Sequence, residues 1–301
     1  MARITIRHVA ELAGVSTSTV SRTFHNHPRI SEETKQRVLK AAEELQYQAR
    51  PAPSVVPMRS LGLLLPHSAD ELLLHPFFPL VMRGVSRYAQ SRGYLTTYAY
   101  SEDMDEQLRL LEKCVGSPFI QGLVLLSAHS NDRVVEYLLE RDVPLVVIGR
   151  PDHPGDLIWV DNDNFHAMYD VVNRLVQNGG RRIAFVGGPR DLTVTRDRLE
   201  GYRMALSNRG ITIDERLVGH ADGFNESAGY RAMAAVLARA TPDAFVATDD
   251  LLGLGALAAL GDRGAGPIPC VGFNNSRQAR EHVPGLSSVE IRPEELGHHA
   301  A

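Results

Sequence analysis

The chain has 301 residues, 44% of them hydrophobic, a formal charge of −4 and two cysteines, Cys114 and Cys270. That length suits two or three packed cores and that composition excludes a disordered chain, while no apolar run approaches the ~20 residues of a membrane span. Met1-Ala2-Arg3-Ile4-Thr5 lacks the apolar stretch of a secretory leader, and two cysteines so far apart read as reduced thiols, so a cytoplasmic protein is expected.

The charge is uneven. Residues 1–60 carry nine Lys/Arg against five Asp/Glu, and the remainder carries 23 against 31. A small basic head on an acidic body suits a phosphate-binding module attached to a domain that stays off nucleic acid. In the head, Thr5 caps a predicted helix with Ile6, Val9, Ala10 and Ala13 inward, spaced by three and four. Gly14 permits a sharp turn, Val15 fills the corner, and Ser16 caps a second helix with Thr19, Val20 and Phe24 inward. Pro28 ends that segment. Ser31 caps a third helix through about Leu45, with Glu32 and Glu33 in the first turn and Val38, Ala41, Ala42 and Leu45 inward.

Three short helices over residues 1–47 predict an all-α helix-turn-helix headpiece. In such a unit the start of the second helix faces base edges. Those residues are Thr17, Ser18, Ser21 and Arg22, and Arg22 can reach guanine O6 and N7 with two hydrogen bonds. Thr5, Arg7, Ser16, Thr19, Arg29 and Ser31 flank them as candidate phosphate contacts. Read from these residues alone, a small bundle with a solvated Ser/Thr face remains open.

The run Ala10-x-x-Ala13-Gly14-Val15-Ser16-x-x-Thr19-Val20-Ser21-Arg22, followed by Val38, Ala42, Leu45 and Tyr47, resembles the headpiece of the lactose/galactose repressor family. The resemblance implies DNA binding, and a hinge over 48–60 that forms a short helix on DNA. Here the hinge departs from the family pattern. Ala49-Arg50 stands where Pro-Asn is usual, and Pro57 truncates what Pro51 and Pro53 could start. Val56 occupies the position of a leucine that relatives wedge into the minor groove, so Val55 and Val56 are the candidates for insertion.

From residue 61 to 301, short apolar runs alternate with helical segments. Strands are expected at 61–65, 95–100, 122–126, 145–148, 182–186, 217–220, 244–248 and 269–273, and helices at 77–92, 132–141, 165–178, 195–209, 227–238 and 251–263. Such alternation predicts two α/β blocks, about 61–160 and 161–285, each a doubly wound parallel sheet. Ligands then bind at the carboxyl ends of the strands, between the blocks. Those ends carry Ser68, Asp70, Glu71 and His75 to Phe78, then Ser127, Gly149 to Pro151, Trp159 to Asn164, Thr193 to Arg198, Thr248 to Asp250 and Asn274 to Ser276. Asp70, Arg150, Asp161, Asp163, Arg198, Asp249 and Asn274 supply paired hydrogen bonds for adjacent hydroxyls; Phe77, Phe78, Trp159 and Phe224 supply faces for sugar C–H patches. Each also has a plainer reading, as a helix cap or a salt-laced helix face.

Ser68-Ala69-Asp70-Glu71, Pro76-Phe77-Phe78, Ile148-Gly149-Arg150-Pro151, Trp159 to Asn164, Thr195 to Tyr202 and Val271 to Ser276 together resemble the maltose-operon repressor branch of that family. The resemblance implies a periplasmic-binding-protein-like core, with Arg198 gripping the effector and Asp249 and Asn274 binding its hydroxyls. It further implies a homodimeric repressor on a near-palindromic operator, released by maltose or a short maltodextrin. Asn274 stands where many relatives have Asp, and Thr248 where they have Asn. Relatives also continue past the segment matching Val289 to Gly297 into a helix on the first block, so an apolar flank of that block is expected to lie uncovered here. A regulator of the same family with another effector, and a sugar-binding protein for uptake, are the alternatives. His-Glu-x-x-His, a phosphate-cradling glycine loop and a nucleophile elbow are all absent, so no catalytic residue, metal or cofactor is expected.

Overall fold

The structure is a computed structural model that describes residues 4–25, 27–47, 59–65, 75–101, 103–130, 132–141, 143–264 and 266–301. The chain separates into two compact units, Met1–Pro57 and Met58–Ala301. Val55, Val56 and Asp70 lie outside the described residues.

The first unit holds α1 (Ile6–Ala13), α2 (Thr17–Phe24) and α3 (Glu32–Glu44). Val9, Ala10, Val20, Val38, Ala41 and Ala42 are buried together, with Ile6, Ala13, Val15, Phe24, Leu45 and Tyr47 around them. Small alanines let three short helices approach closely enough to exclude water. Gly14 takes the left-handed conformation (φ 65°) that ends α1, and Val15 N–H donates to the Ala10 carbonyl at 3.0 Å. Thr19, expected inward, is only half-buried; the buried hydroxyl residue is Thr23, which donates to the Thr19 carbonyl at 2.9 Å.

The second unit contains two parallel five-stranded sheets. The first holds β1 (Ser60–Leu64), β2 (Leu95–Ala99), β3 (Ile120–Leu125), β4 (Leu145–Ile148) and β5 (Ile158–Val160), in the order β2-β1-β3-β4-β5. Its described helices are α4 (Phe77–Ser91), α5 (Met104–Val115) and α6 (Arg133–Leu139). After α7 (Asn164–Gln177) the second sheet follows with β6 (Ile183–Gly187), α8 (Thr193–Asn208), β7 (Val218–His220), α9 (Glu226–Leu237), β8 (Ala244–Ala247), α10 (Asp250–Asp262), β9 (Cys270–Phe273), α11 (Arg277–Glu281) and β10 (Ser287–Val289). Its order, β7-β6-β8-β9-β10, repeats that of the first sheet. In each sheet the connection reverses direction beside the first strand, between β1 and β3 and between β6 and β8. That reversal opens a crevice at the carboxyl ends.

β5 and β10 were not among the expected strands. Each is a three-residue edge strand, too short to show alternation, and β10 carries the second sheet past the expected limit at 285. The flank expected to lie uncovered is covered in part, while Leu95 and Tyr98 of β2 and Ile158 of β5 stay exposed. The helix α12 (Pro293–Ala300) returns to the first block and packs on α4, with Ala300 buried in the cluster of Val81 and Val85. Two glycines permit that approach: a Cβ on Gly84 would lie 2.1 Å from the Glu294 carbonyl oxygen, and one on Gly297 2.1 Å from that of Val81.

Candidate functional site

Two sets of residues carry the functional expectations, one in each unit. On the first, Thr17, Ser18 and Arg22 stand exposed on α2, and Ser21 is half-buried. Ser16 caps α2: its Oγ accepts the Thr19 N–H at 3.1 Å and lies 2.7 Å from Ser18 Oγ. Ser31 caps α3 in the same way, accepting the Thr34 N–H at 3.3 Å. Thr5 N–H donates to His8 Nδ1 at 3.0 Å at the start of α1. Arg7 and Arg29 are exposed. The caps fix the helix starts locally, which leaves Thr17, Ser18 and Arg22 of α2 presented to solvent.

In the second unit, the ends of β3, β4, β5, β8 and β9, with the first turns of α4 and α8, surround a cavity of about 110 Å³ between the two blocks. Phe77, Phe78, Asp161, Arg198, Phe224, Asp249 and Asn274 all line it. Arg198 is at its base. Its Nε and Nη2 donate to Asn164 Oδ1 at 3.0 and 2.7 Å, Nη1 donates to the Thr248 carbonyl, and the guanidinium lies 4.1 Å over the Phe273 ring. Burial pulls its pKa down to about 10, opposed by Asp161, Asp249 and Asp250. It therefore remains a cation at neutral pH, set among carboxylates.

Asp249 caps α10, accepting the Leu251 N–H on Oδ1 at 2.7 Å. Its other oxygen accepts the Asn274 amide and lies 2.8 Å from His75 Nε2. His75 belongs to the first block and Asp249 to the second, so this pair spans the cleft. The His75 ring sits between Phe78 and Phe224, both at 5.7 Å centroid to centroid. Asp161 accepts Asn162 N–H at 2.7 Å, Asn164 Nδ2 at 2.9 Å and Arg150 N–H at 3.0 Å, and burial pushes its carboxyl above the ordinary range. Oxygen and amide groups thus converge beside three phenylalanine rings, the mixture a polyhydroxylated ring needs.

The blocks also meet beside the cavity. Thr193 N–H donates to the Ala128 carbonyl at 3.2 Å, His129 Nδ1 lies 3.0 Å from Asp191, and Arg196 pairs with Asp152. Arg150, Trp159 and Asp163 are not part of the lining, which corrects their placement there. The Arg150 guanidinium pairs with Asp197 at 2.5 Å. Trp159 is on edge strand β5 and 39% exposed. Asp163 caps α7, accepting the His166 N–H at 3.0 Å, and pairs with the His166 ring. His75 and Asn164 lie within the strand-end runs, and their roles come from distances: His75 reaches Asp249 across the cleft, and Asn164 accepts from Arg198 within the second block. Ile291 and Leu296 also line the cavity, brought there by the return of the chain to the first block, for which the sequence carried no signal. Among the described residues no group of three His, Cys, Asp or Glu is placed to hold a metal ion, and no helix is long and apolar enough to cross a membrane.

Residues 5–50 match the profile of bacterial regulatory proteins, lacI family, and residues 172–301 that of a periplasmic binding protein-like domain. The chain is 38% identical over 257 residues to the HTH-type transcriptional regulator MalR of Streptococcus pneumoniae, covering 84% of this chain and 78% of that protein. It is 35% identical over 308 residues to the HTH-type transcriptional regulator CelR of Thermobifida fusca, covering 99% and 90%. Among solved structures it resembles the transcriptional regulator CelR–cellobiose complex with a TM-score of 0.76 and 33% identity, covering 99% of this chain and 91% of that one.

Proposed function

The chain belongs to the lacI family of bacterial regulatory proteins, as a MalR-like transcriptional regulator with a DNA-binding helix-turn-helix, and from that premise we propose that it is a cytoplasmic, homodimeric repressor released by maltose or a short maltodextrin. Two headpieces read the halves of a near-palindromic operator, with Thr17, Ser18, Ser21 and Arg22 at base edges and Thr5, Arg7, Ser16, Thr19, Arg29 and Ser31 on phosphates. Val55 and Val56 are the proposed minor-groove contacts.

The observation that carries the effector reading is the convergence of Arg198, Asp249, Asn274 and Asp161 with Phe77, Phe78 and Phe224 on one cavity. At about 110 Å³ that cavity is smaller than the ~300–1,000 Å³ of sites that enclose a small molecule, and the His75–Asp249 contact closes across it. A sugar that fills it is expected to open that contact or to move the blocks. A ligand coupled to that motion shifts the equilibrium between arrangements by its preference for one of them, and in doing so changes operator affinity.

A cellobiose-type β-linked disaccharide is the second reading, favoured by the CelR–cellobiose relative that spans nearly the whole chain. Operator binding measured by fluorescence anisotropy, with maltose, maltotriose, cellobiose, galactose and ribose, separates the two. Release by maltose or maltotriose alone is the expected result. Release by cellobiose alone would transfer the assignment, and release by none of the five would end the sugar-effector reading.

A further inference from the structure

We propose that Asp250, which does not line the cavity, is a positioning residue: it holds the loop between β9 and α11 so that Asn274 presents its amide to the effector. The proposal rests on the effector reading above.

Asp250 is fully buried at the start of α10. Unlike its neighbour Asp249, it bonds away from the cavity. Oδ2 accepts the Ser276 N–H at 2.7 Å, and Oδ1 accepts the Ser288 hydroxyl of β10 at 2.6 Å. Ser288 Oγ in turn accepts the Asn275 N–H at 2.8 Å. One carboxylate therefore holds the backbone at the second residue of a two-residue kink, through Ser288 at Asn275, and directly after it, at Ser276.

That kink needs holding. Asn274 and Asn275 have φ of 101° and 47°, a region asparagine enters more readily than other non-glycine residues, and bonds select it here, Asn274 N–H donating to the Val289 carbonyl at 2.9 Å. From the kink, the Asn274 side chain donates to Asp249 Oδ2 in the cavity. Gly272 makes room for the arrangement, since a Cβ there would lie 2.3 Å from Asp250 Oδ1. Two converging donors call for two acceptor oxygens, which a carboxylate has and a carboxamide does not. The fold keeps an ionisable group in this dry position although burial, with Asp249 adding to it, raises the carboxyl pKa to about 6 against the bonds from Ser288 and Ser276. Arg198 of α8 is the cation that reaches it.

The test is calorimetric titration of the full chain with maltose, maltotriose and cellobiose, alongside Tm at pH 7.5, for wild type, Asp250→Asn, Asn274→Ala and the double variant. Asp250→Asn is expected to bind the sugar about tenfold more weakly, with removal of the buried charge offsetting the donor left facing the amide NH2 so that Tm holds near wild type, and to have no further effect in the Asn274→Ala background. A parallel fall in Tm and affinity, or a second full loss in that background, would reduce Asp250 to a structural residue. Should Asp250→Asn not fold, Ser288→Ala removes one of its two donors and is expected to weaken binding in the same direction; unchanged affinity there overturns the role. Wild type binding none of the three sugars removes the effector reading and this inference together. Sugar binding that survives Asp250→Asn unchanged removes this inference alone.

Discussion

The two candidate sites are built in opposite ways. On α2 the side chains proposed to read DNA are mostly exposed, and the hydrogen bonds around them span at most five positions, such as Ser16 to Thr19 and Arg22 to His27. In the cavity the functional side chains are buried or half-buried, and their bonds join residues 25, 34 or 174 positions apart: Asn274 to Asp249, Arg198 to Asn164, His75 to Asp249. A surface that must mate with phosphates and base edges keeps its groups unspent and its charges in water. A cleft that must strip water from a small ligand aligns its groups against each other beforehand. The first site should therefore be mutable with little effect on folding, whereas in the second, binding and stability are coupled.

The sharpest test of that contrast is Arg198→Met. Three donors and a buried cation disappear, leaving Asp161, Asp249 and Asp250 without their counter-charge, so a loss of about 3–5 kcal/mol in denaturant unfolding is expected together with loss of sugar response. A variant as stable as wild type would show that the buried guanidinium is not what the carboxylates depend on.

Asp250→Asn acts on the same cavity with the opposite sign. With a folded pKa of about 6 against 3.8 for the free group, the folded state favours the protonated acid. The stability this contributes is complete below pH 4 and lost as pH rises through 6. Asparagine removes the charge but sets its NH2 against one of the two donors, a loss present at every pH, so relative to wild type the variant should gain about 1–3 kcal/mol between pH 4 and pH 7.5. Urea unfolding at the two pH values measures that change; a difference from wild type that is the same at both would contradict it.

On α2, Arg22→Ala should lower operator affinity by about 1–3 kcal/mol, concentrated at one base position, with the unfolding midpoint unchanged. Equal loss on every sequence would make Arg22 a phosphate contact instead. The smallest effect is that of Ser16→Ala, about 1 kcal/mol of headpiece stability from the lost cap of α2, visible in thermal unfolding of the first transition and absent from sugar titrations.

The same contrast governs what could be read without coordinates. The headpiece was legible almost residue by residue, because caps, a glycine turn and spacing by three and four are local properties. In the body, alternating strands and helices gave the two sheets, while the edge strands β5 and β10 were too short to register. Seven cleft residues were anticipated from their places after strands. Arg150, Trp159 and Asp163 stand in the same kind of place and point elsewhere, since position after a strand does not decide direction. Arg150 finds Asp197, and Asp163 the first turn of α7.

The sequence by itself determined the family, the helix-turn-helix with Arg22 on its second helix, and the pair of parallel sheets, because each follows from patterns repeated within a few residues. Only the tertiary structure decided that His75 faces Asp249 across the cleft, that Asp250 reaches the loop of Asn274 from behind, and that residues 293–300 return to cover α4. Those contacts depend on where the chain comes back to itself after tens to hundreds of residues, and local chemistry carries no record of that distance.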